Sequence, residues 1–269
     1  MNFPENPLAS RLDLARRIAA EAGRLTLRYF QRADLAVDLK ADHSPVTVAD
    51  REAEQLLRRQ IGEAFPADAI LGEEFGEQPG TSGYQWVLDP IDGTKSFVHG
   101  VPLYGTLVGI QQDDQPVIGV ICIPALNETV YAARGQGAWY VRGSAAPVAA
   151  HVSTVGKLEE ALYLTTDPKS FALRKSDYGR AAHASLQSAA RLARTWGDCY
   201  GYLLVAVGRA DVMVDPLMNV WDAAAVAPII EEAGGRFTDF QGRATISGGD
   251  AVASNRLLHE AVLKSTRGK

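Results

Sequence analysis

The chain has 269 residues, of which 46% are hydrophobic and 22% charged, and this ordinary globular composition excludes a disordered chain. A net charge of −5 without any block of Lys or Arg argues against a nucleic-acid partner. The sequence contains no apolar run of about 18 residues, so no membrane-spanning segment is predicted. Cys122 and Cys199 are too few for a disulfide framework, which predicts a reduced, cytoplasmic setting.

The first part of the chain carries two amphipathic helix patterns. Apolar residues recur at three- and four-residue steps from Leu8 to Tyr29, which predicts a helix of about six turns. The polar segment 31–44 is expected to be a loop or a hairpin. Thr47 and Asp50 then fit a capping box at the start of a second helix.

The pattern changes after the second helix. Short apolar or alternating runs between residues 69 and 141, separated by turn residues, predict a mostly antiparallel sheet against the two helices. Small, weakly patterned residues at 143–150 mark a seam, and strand and helix patterns alternate beyond it. The sequence therefore predicts an N-terminal α+β half, 1–145, and a C-terminal α/β half, 146–269, in one compact unit.

The segment WVLDPIDGTKSF at 86–97 carries the most informative residues. Its apolar strand ends at Asp89, and Pro90 keeps that residue out of the helical region, so the chain leaves the strand in a defined direction. Asp92 follows after one further residue, Ile91, whose backbone carbonyl is free to act as a ligand. Carboxylate and carbonyl oxygens are hard ligands suited to Mg²⁺ or Mn²⁺.

A phosphate site is expected beside these ligands. The amides of Gly93 and Thr94 would face outward at a helix start, where phosphate binds well. Glu73, in GEEFG, and Asp222, at the start of an apolar helix, offer further carboxylates. Each piece also has a structural interpretation: DPIDG as a turn, Asp222 as a partner of the helix dipole, and Asp50 as a helix cap.

Three segments together resemble the inositol monophosphatase family of metal-dependent phosphomonoesterases. They are GEE at 72–74, DPIDGT at 89–94 and WDAAA at 221–225, in that order, and AGGRFTDFQG at 233–242 is similar to the tail of the third. The resemblance covers nearly the whole chain. It implies a layered α-β-α-β-α sandwich of the inositol monophosphatase and sugar phosphatase type, a phosphate monoester as substrate, and a homodimer.

The resemblance also implies roles for individual residues. The implied metal ligands, for two or three Mg²⁺ ions or Mn²⁺ in their place, are Glu73, Asp89, the Ile91 carbonyl, Asp92 and Asp222. The implied catalytic residues are Glu73, Asp50 and Thr94, the last two orienting the attacking water. The implied substrate-binding residues are Ile91, Asp92, Gly93, Thr94, Arg194, Asp198 and Asp222. Lys40 matches a family lysine near the active-site flap.

Two segments narrow the choice of substrate within this family. DGTKSFVHGVP at 92–102 and ARTWGDCYGY at 193–202 look most like the histidinol-phosphate phosphatases of this family, which implies hydrolysis of L-histidinol phosphate to L-histidinol and phosphate in histidine biosynthesis. Asp198 or Glu74 would pair with the cationic part of that substrate, and Trp196 would either stack on it or only pack.

Other functions stay open from the sequence. The same residues would serve an inositol-1-phosphatase or a broad sugar-phosphate phosphatase, and a nucleotide 3′-phosphatase is a weaker alternative without a visible adenine pocket. A different class is a non-catalytic regulator that keeps the fold and binds metal. Against that class, every implied metal and water-orienting position holds a competent residue.

Overall fold

A computed structural model describes residues 7–173 and 178–267 of the chain. Within these ranges the α-helices are α1 (Pro7–Thr26), α2 (Val48–Ala64), α3 (Thr94–Val98), α4 (Tyr178–Ala189), α5 (Asp198–Ala206), α6 (Val220–Glu232) and α7 (Arg256–Thr266). The strands are β1 (Val37–Leu39), β2 (Pro45–Thr47), β3 (Ala69–Gly72), β4 (Gly76–Gln78), β5 (Tyr84–Asp92), β6 (Gly105–Gln112), β7 (Gln115–Ile123), β8 (Glu128–Ala133), β9 (Ala138–Arg142), β10 (Val148–Ala149), β11 (Leu162–Leu164), β12 (Leu192–Arg194), β13 (Val212–Asp215), β14 (Gly235–Thr238) and β15 (Ala251–Asn255).

The strands of the described residues form three sheets. β1 and β2 pair as an antiparallel hairpin, which is one of the two forms expected for the polar segment 31–44 and its flanks. The large sheet has eight strands in the order β10-β9-β8-β7-β6-β5-β3-β4, and its pairs are antiparallel apart from β3 with β5. The small sheet has five strands in the order β12-β11-β13-β15-β14.

Helices and sheets alternate as layers. α1 and α2 cover the outer face of the large sheet, α5 and α6 lie between the two sheets, and α4 and α7 cover the outer face of the small sheet. This is the α-β-α-β-α sandwich that the sequence resemblance implied. Buried apolar clusters fill each junction, around Ile18 and Leu57 outside the large sheet, Val226 and Ile229 between the sheets, and Val262 outside the small one.

Helix α6 approaches the large sheet closely because small residues face each other. A Cβ placed on Gly109 of β6 would lie 2.7 Å from the Ala224 Cβ, and one on Gly119 of β7 would overlap the carbonyl oxygen of Ala225. The glycines therefore let the helix backbone rest on the sheet. This contact fixes the start of α6, with Asp222 in its first turn, over the end of β5.

Some boundaries differ from the sequence prediction. The first helix ends at Thr26 rather than near Tyr29, because the following turns direct Phe30 into an aromatic cluster, where its ring centroid lies 5.1 Å from that of Tyr104. The alternation predicted beyond residue 150 includes a helical stretch through 185–192, but α4 ends at Ala189 and Leu192 begins an edge strand of the small sheet.

The proposed division of the chain stays a prediction. β10 (Val148–Ala149) follows the predicted boundary at 145/146 and pairs with β9 of the large sheet, whereas the strands of the small sheet come from 162–255. Among the described helices, none has the length and apolar character that crossing a membrane requires.

Candidate metal centre and adjoining cleft

Strand β5 carries a bulge in the segment DPID. Its pairing with β6 shifts between Asp89 and Asp92, so that three steps along β5 face two steps along β6. Side chains alternate along a regular strand, and Asp89 and Asp92 would otherwise point to opposite faces. The Thr106 hydroxyl donates a hydrogen bond to the Pro90 carbonyl at 2.9 Å inside the bulge. The bulge therefore allows both carboxylates to face one site.

Three aspartates meet at this site. Asp89, Asp92 and Asp222 each offer a carboxylate oxygen, and these oxygens all lie within 4.8 Å of one another. Asp222 reaches the site from the first turn of α6, where the Asn219 amide donates to its Oδ2 at 2.8 Å. Asp222 therefore forms a capping box at the start of α6, and the same carboxylate lies at the acidic centre.

The electrostatics of the centre suit a divalent cation. Burial, followed by the charges of Glu73, Asp92 and Asp222, raises the pKa of Asp89 well above its usual range. Burial and the nearby Asp198 and Asp222 do the same for the pKa of Asp92, and burial raises the pKa of Asp222 to about 6. Buried carboxylates of like charge need a counter-charge, and oxygen donors of this type fit Mg²⁺ or Mn²⁺.

Glu73 lies beside the three aspartates and contacts a lysine. Its Oε1 accepts a hydrogen bond from Lys40 Nζ at 2.7 Å, and Lys40 also contacts Glu74 Oε1 at 2.7 Å. Burial raises the pKa of Glu73, and Lys40 opposes that shift. Lys40 follows β1, so the hairpin reaches the acidic centre through this contact, and the match of Lys40 to the family lysine stays a prediction. Glu74 is engaged by this contact rather than facing the cleft as a free anion.

Asp50 combines a helix cap with a contact to the site. Its Oδ2 accepts hydrogen bonds from the Thr47 amide at 2.8 Å and the Thr47 hydroxyl at 2.6 Å, which completes the predicted capping box of α2. Its Oδ1 lies 3.5 Å from the Thr94 hydroxyl, which also donates to the Ile91 carbonyl at 3.0 Å. Burial raises the pKa of Asp50 to about 6. Asp50, Thr94 and Ile91 therefore lie together, and the roles that the resemblance implies for them stay predictions.

Asp198 packs against the proposed phosphate loop. Gly93 has φ +81°, and a Cβ at this position would lie 2.9 Å from Asp198 Oδ2. Asp198 itself has φ +52°, which is uncommon for a residue other than glycine, and its amide donates to the Thr166 hydroxyl at 2.9 Å. Burial, followed by the charges of Asp215 and Asp222, raises its pKa to about 7.

A cleft of about 550 Å³ opens over these residues. The residues that line it include Glu73, Gly93, Thr94, Thr195, Gly197 and Asp198. Arg194 and Trp196 are not among the described residues that line it.

The placement of Arg194 explains its absence from the lining. Arg194 ends the edge strand β12, and its exposed guanidinium donates to the Ala193 carbonyl at 2.8 Å. Its role as a substrate-binding residue stays a prediction. Trp196, for which packing was the alternative interpretation, keeps 39% of its surface exposed.

Asp215 is a further acidic residue near the site and is not among the residues predicted from the sequence. This buried carboxylate accepts hydrogen bonds from the Thr166 amide at 2.8 Å and the Tyr202 hydroxyl at 2.9 Å. It lines a cavity of about 90 Å³ that also contains Asp92 and Asp198. The available signal was the run VMVD, an apolar strand that ends in a carboxylate as WVLD does at Asp89.

The layered fold and its acidic centre are those expected of a phosphomonoesterase. The chain belongs to the inositol monophosphatase family, whose model matches residues 8–269. A histidinol-phosphatase of Chlorobaculum parvum is 46% identical over 247 residues, covering 90% of this chain and 91% of that protein. One of Mycobacterium tuberculosis is 41% identical over 255 residues, covering 94% of this chain and 96% of the relative.

Solved structures agree with the sequence relatives about the fold. The extragenic suppressor protein SuhB of Bartonella henselae superposes with a TM-score of 0.87 at 27% identity and covers 96% of this chain and 98% of its own. An inositol monophosphatase of Zymomonas mobilis gives a TM-score of 0.83 at 32% identity, covering 98% of this chain and 100% of that one.

Proposed function

We propose that this protein is a histidinol-phosphatase that hydrolyses L-histidinol phosphate to L-histidinol and phosphate with divalent metal ions. The observation that carries the substrate is the closeness of the Asp198 carboxylate to the proposed phosphate loop, where a Cβ on Gly93 would lie 2.9 Å from Asp198 Oδ2. In L-histidinol phosphate the ammonium group is on the carbon next to the CH₂–O–P ester. An acidic side chain beside the phosphate loop therefore suits this substrate, whereas an inositol ring offers no cation.

The proposed metal ligands are all oxygen donors at or beside the acidic centre. They are Glu73, Asp89, the Ile91 carbonyl, Asp92 and Asp222. The four carboxylates carry a formal charge of −4 when ionised, which would repel a phosphate dianion and which two Mg²⁺ ions balance. We propose two or three Mg²⁺ ions, with Mn²⁺ as a substitute. Bound ions of this kind polarise phosphoryl oxygens and lower the pKa of water.

The other proposed catalytic residues orient water and phosphate. The Thr94 hydroxyl, as donor, and the Asp50 carboxylate, as acceptor, lie 3.5 Å apart beside the Ile91 carbonyl, and this pair would orient the attacking water. The amides of Gly93 and Thr94 would hold phosphate oxygens at the start of α3. Glu73 can take part only if its carboxylate shares or releases the contact with Lys40.

The proposed substrate contacts adjoin the phosphate loop. Asp198 would pair with the ammonium group, and Trp196 at the adjoining loop would stack on the imidazole ring. A homodimer and a cytoplasmic location are carried over from the family resemblance and the cysteine usage, and both stay predictions.

A substrate panel tests the proposal. Purified protein with Mg²⁺ is assayed for phosphate release from L-histidinol phosphate, inositol-1-phosphate, several sugar phosphates and p-nitrophenyl phosphate. We expect the highest kcat/KM for L-histidinol phosphate and no turnover with EDTA. Faster release from inositol-1-phosphate or a sugar phosphate would favour the alternative phosphatases. Metal binding without release from any substrate would favour the non-catalytic regulator.

A further inference from the structure

Glu54 is a buried acidic residue that the proposed reaction does not use. It lies on α2 four residues after Asp50, and its side chain is fully buried. Arg58, one further turn along the same helix face, donates from Nε to Glu54 Oε1 at 2.7 Å. The helix face that presents Asp50 to the site thus also carries the Glu54 carboxylate, which is paired with Arg58.

Glu54 holds the turn that carries Glu73. Its Oε2 accepts the Glu74 amide at 2.7 Å, and its Oε1 accepts the Phe75 amide at 3.2 Å. Hydrogen bonds from backbone amides to a carboxylate are stronger than those between neutral groups. Both oxygens of Glu54 therefore bind the backbone immediately after Glu73.

The residue before Glu73 is shaped to admit this carboxylate. A Cβ on Gly72 would overlap Glu54 Oε1, so a glycine is required for the carboxylate to reach the turn. Arg58 also donates from Nη2 to the Gly76 carbonyl and closes the other side of the turn. Glu54 and Arg58 of helix α2 thus hydrogen-bond to the backbone of residues 74–76. Lys40 contacts the side chains of Glu73 and Glu74.

We propose that Glu54 is a positioning residue that fixes the Glu73 carboxylate for metal binding. The inference rests on the proposed role of Glu73 as a metal ligand. Partners that hydrogen-bond around metal ligands set the orientation of those ligands, and their loss commonly weakens metal affinity about 10- to 100-fold. Without Glu54 the turn loses two of its backbone anchors, and Glu73 can follow Lys40 away from the three aspartates.

The first test is Glu54→Gln, which keeps the size and shape of the side chain. A glutamine offers one acceptor oxygen, so its NH₂ group must face either the Glu74 amide or the Phe75 amide and Arg58. We expect the dissociation constant for Mn²⁺, measured by calorimetry without substrate, to rise about tenfold or more. Amide hydrogen exchange at Glu74 and Phe75 should accelerate, and kcat at saturating Mn²⁺ should change much less than the metal activation constant.

A second variant and a control complete the experiment. Gly72→Ala keeps the Glu54 side chain but displaces it from the turn, because the new methyl group would overlap Glu54 Oε1. This variant should also weaken Mn²⁺ binding. Asp68→Asn is the matched control, because Asp68 precedes β3 and accepts hydrogen bonds from Arg11 at 2.8 Å, at the end of the strand away from Glu73. This control should lower thermal stability without changing the Mn²⁺ dissociation constant.

The outcomes separate this inference from the proposed function. If wild-type protein binds Mn²⁺ and both Glu54→Gln and Gly72→Ala bind it equally well, the positioning role is wrong and the proposed function stands. Equal weakening by Asp68→Asn would show that general loss of stability, rather than the Glu54 contact, sets the affinity, and would also overturn the role. Wild-type protein that binds no Mn²⁺ would overturn the proposed metal centre, and the inference with it.

Discussion

The amide of Cys199 donates a hydrogen bond to the carboxylate of Asp92. The bond joins the first turn of α5 to the end of β5, where the positive end of the helix favours an ionised carboxylate. It therefore works against the burial and the neighbouring charges that raise the pKa of Asp92. Because Asp198 directly precedes Cys199, the same bond fixes the proposed substrate-binding residue relative to the proposed metal centre.

Replacing Asp92 by Asn should separate activity from stability. Loss of the charge should weaken Mg²⁺ binding and lower kcat/KM by about 100-fold or more, the scale of losing a group that stabilises charge in the transition state. In EDTA at pH 8 the variant should melt at a higher temperature than the wild type, since one of several repelling buried charges is gone. Asp114→Asn, in the turn between β6 and β7, is the control and should change neither quantity.

Replacing Asp198 by Asn should affect one substrate class. An unpaired ammonium group in the cleft costs about 2 kcal/mol, so kcat/KM for L-histidinol phosphate should fall by a factor of about 30. Hydrolysis of p-nitrophenyl phosphate, which has no cation, should change by less than about threefold on the same reasoning. Asp167→Asn alters another acidic residue of the cleft and serves as the control. Equal losses on both substrates would make Asp198 a structural residue.

Metal affinity should depend on pH because protons compete for the same carboxylates. The pKa of Asp222 is raised to about 6, so the folded, metal-free protein takes up a proton there as the pH falls through 6. The dissociation constant for Mg²⁺ should therefore increase as the pH falls from 8 to 5.5. At a Mg²⁺ concentration 100 times that constant, the gain in unfolding free energy should be about 2.7 kcal/mol. Thermal melts with and without Mg²⁺ across this pH range measure both effects.

His259 should make the protein sensitive to acid. It is buried between the hydroxyls of Thr238 at 3.0 Å and Ser254 at 2.8 Å, and burial lowers its pKa from 6.5 to about 4. The unfolded chain takes up a proton near pH 6.5 and the folded chain does not. The contribution of His259 to stability is therefore complete above pH 6.5 and is lost as the pH falls towards 4, by up to about 1.4 kcal/mol per pH unit.

The acid effect of His259 is measured as a difference between two proteins. Urea unfolding in EDTA at pH 7.5 and pH 5 should show a larger loss of unfolding free energy in the wild type than in His259→Gln, which cannot titrate. A parallel pH dependence in the two proteins would contradict the assignment to His259.

Two glycine substitutions should act in opposite directions. Gly119→Ala places a methyl group against the Ala225 carbonyl and pushes α6 from the sheet, which should cost about 3 kcal/mol and also lower metal affinity by moving Asp222. Gly62→Ala, in α2 with open space around the new methyl group, should stabilise the protein by about 0.5–1 kcal/mol. Chemical denaturation of both variants, with Mn²⁺ titration of the folded forms, checks the pair.

The sequence predicts those parts of the site whose chemistry is local. Asp89 and Asp92 stand out because an apolar strand, a proline and a glycine surround them, and Asp50 because its capping partner Thr47 is three residues away. The meeting of Asp222 with β5 could be expected from the family resemblance alone. Its physical basis, the close contact of α6 with glycines of β6 and β7, depends on residues far apart in the chain.

Other residues were beyond the reach of sequence patterns for the same reason. Glu54 looks like an ordinary polar residue of a surface helix, because its partners at 74 and 75 follow it only after a loop and a strand. Arg194 was placed near the substrate, but the pattern did not show that it ends an edge strand with its side chain in solvent.

The contact of α6 with the glycines of β6 and β7 also joins parts of the acidic centre that are far apart in the chain. A piece of the chain that stops before α6 contains Asp89 and Asp92 but lacks the third oxygen donor, Asp222. Contacts between such distant segments carry a larger loop-closure cost than local contacts. A divalent ion held by all three aspartates would require α6 to be packed against the large sheet, so metal binding would serve as a probe of that packing.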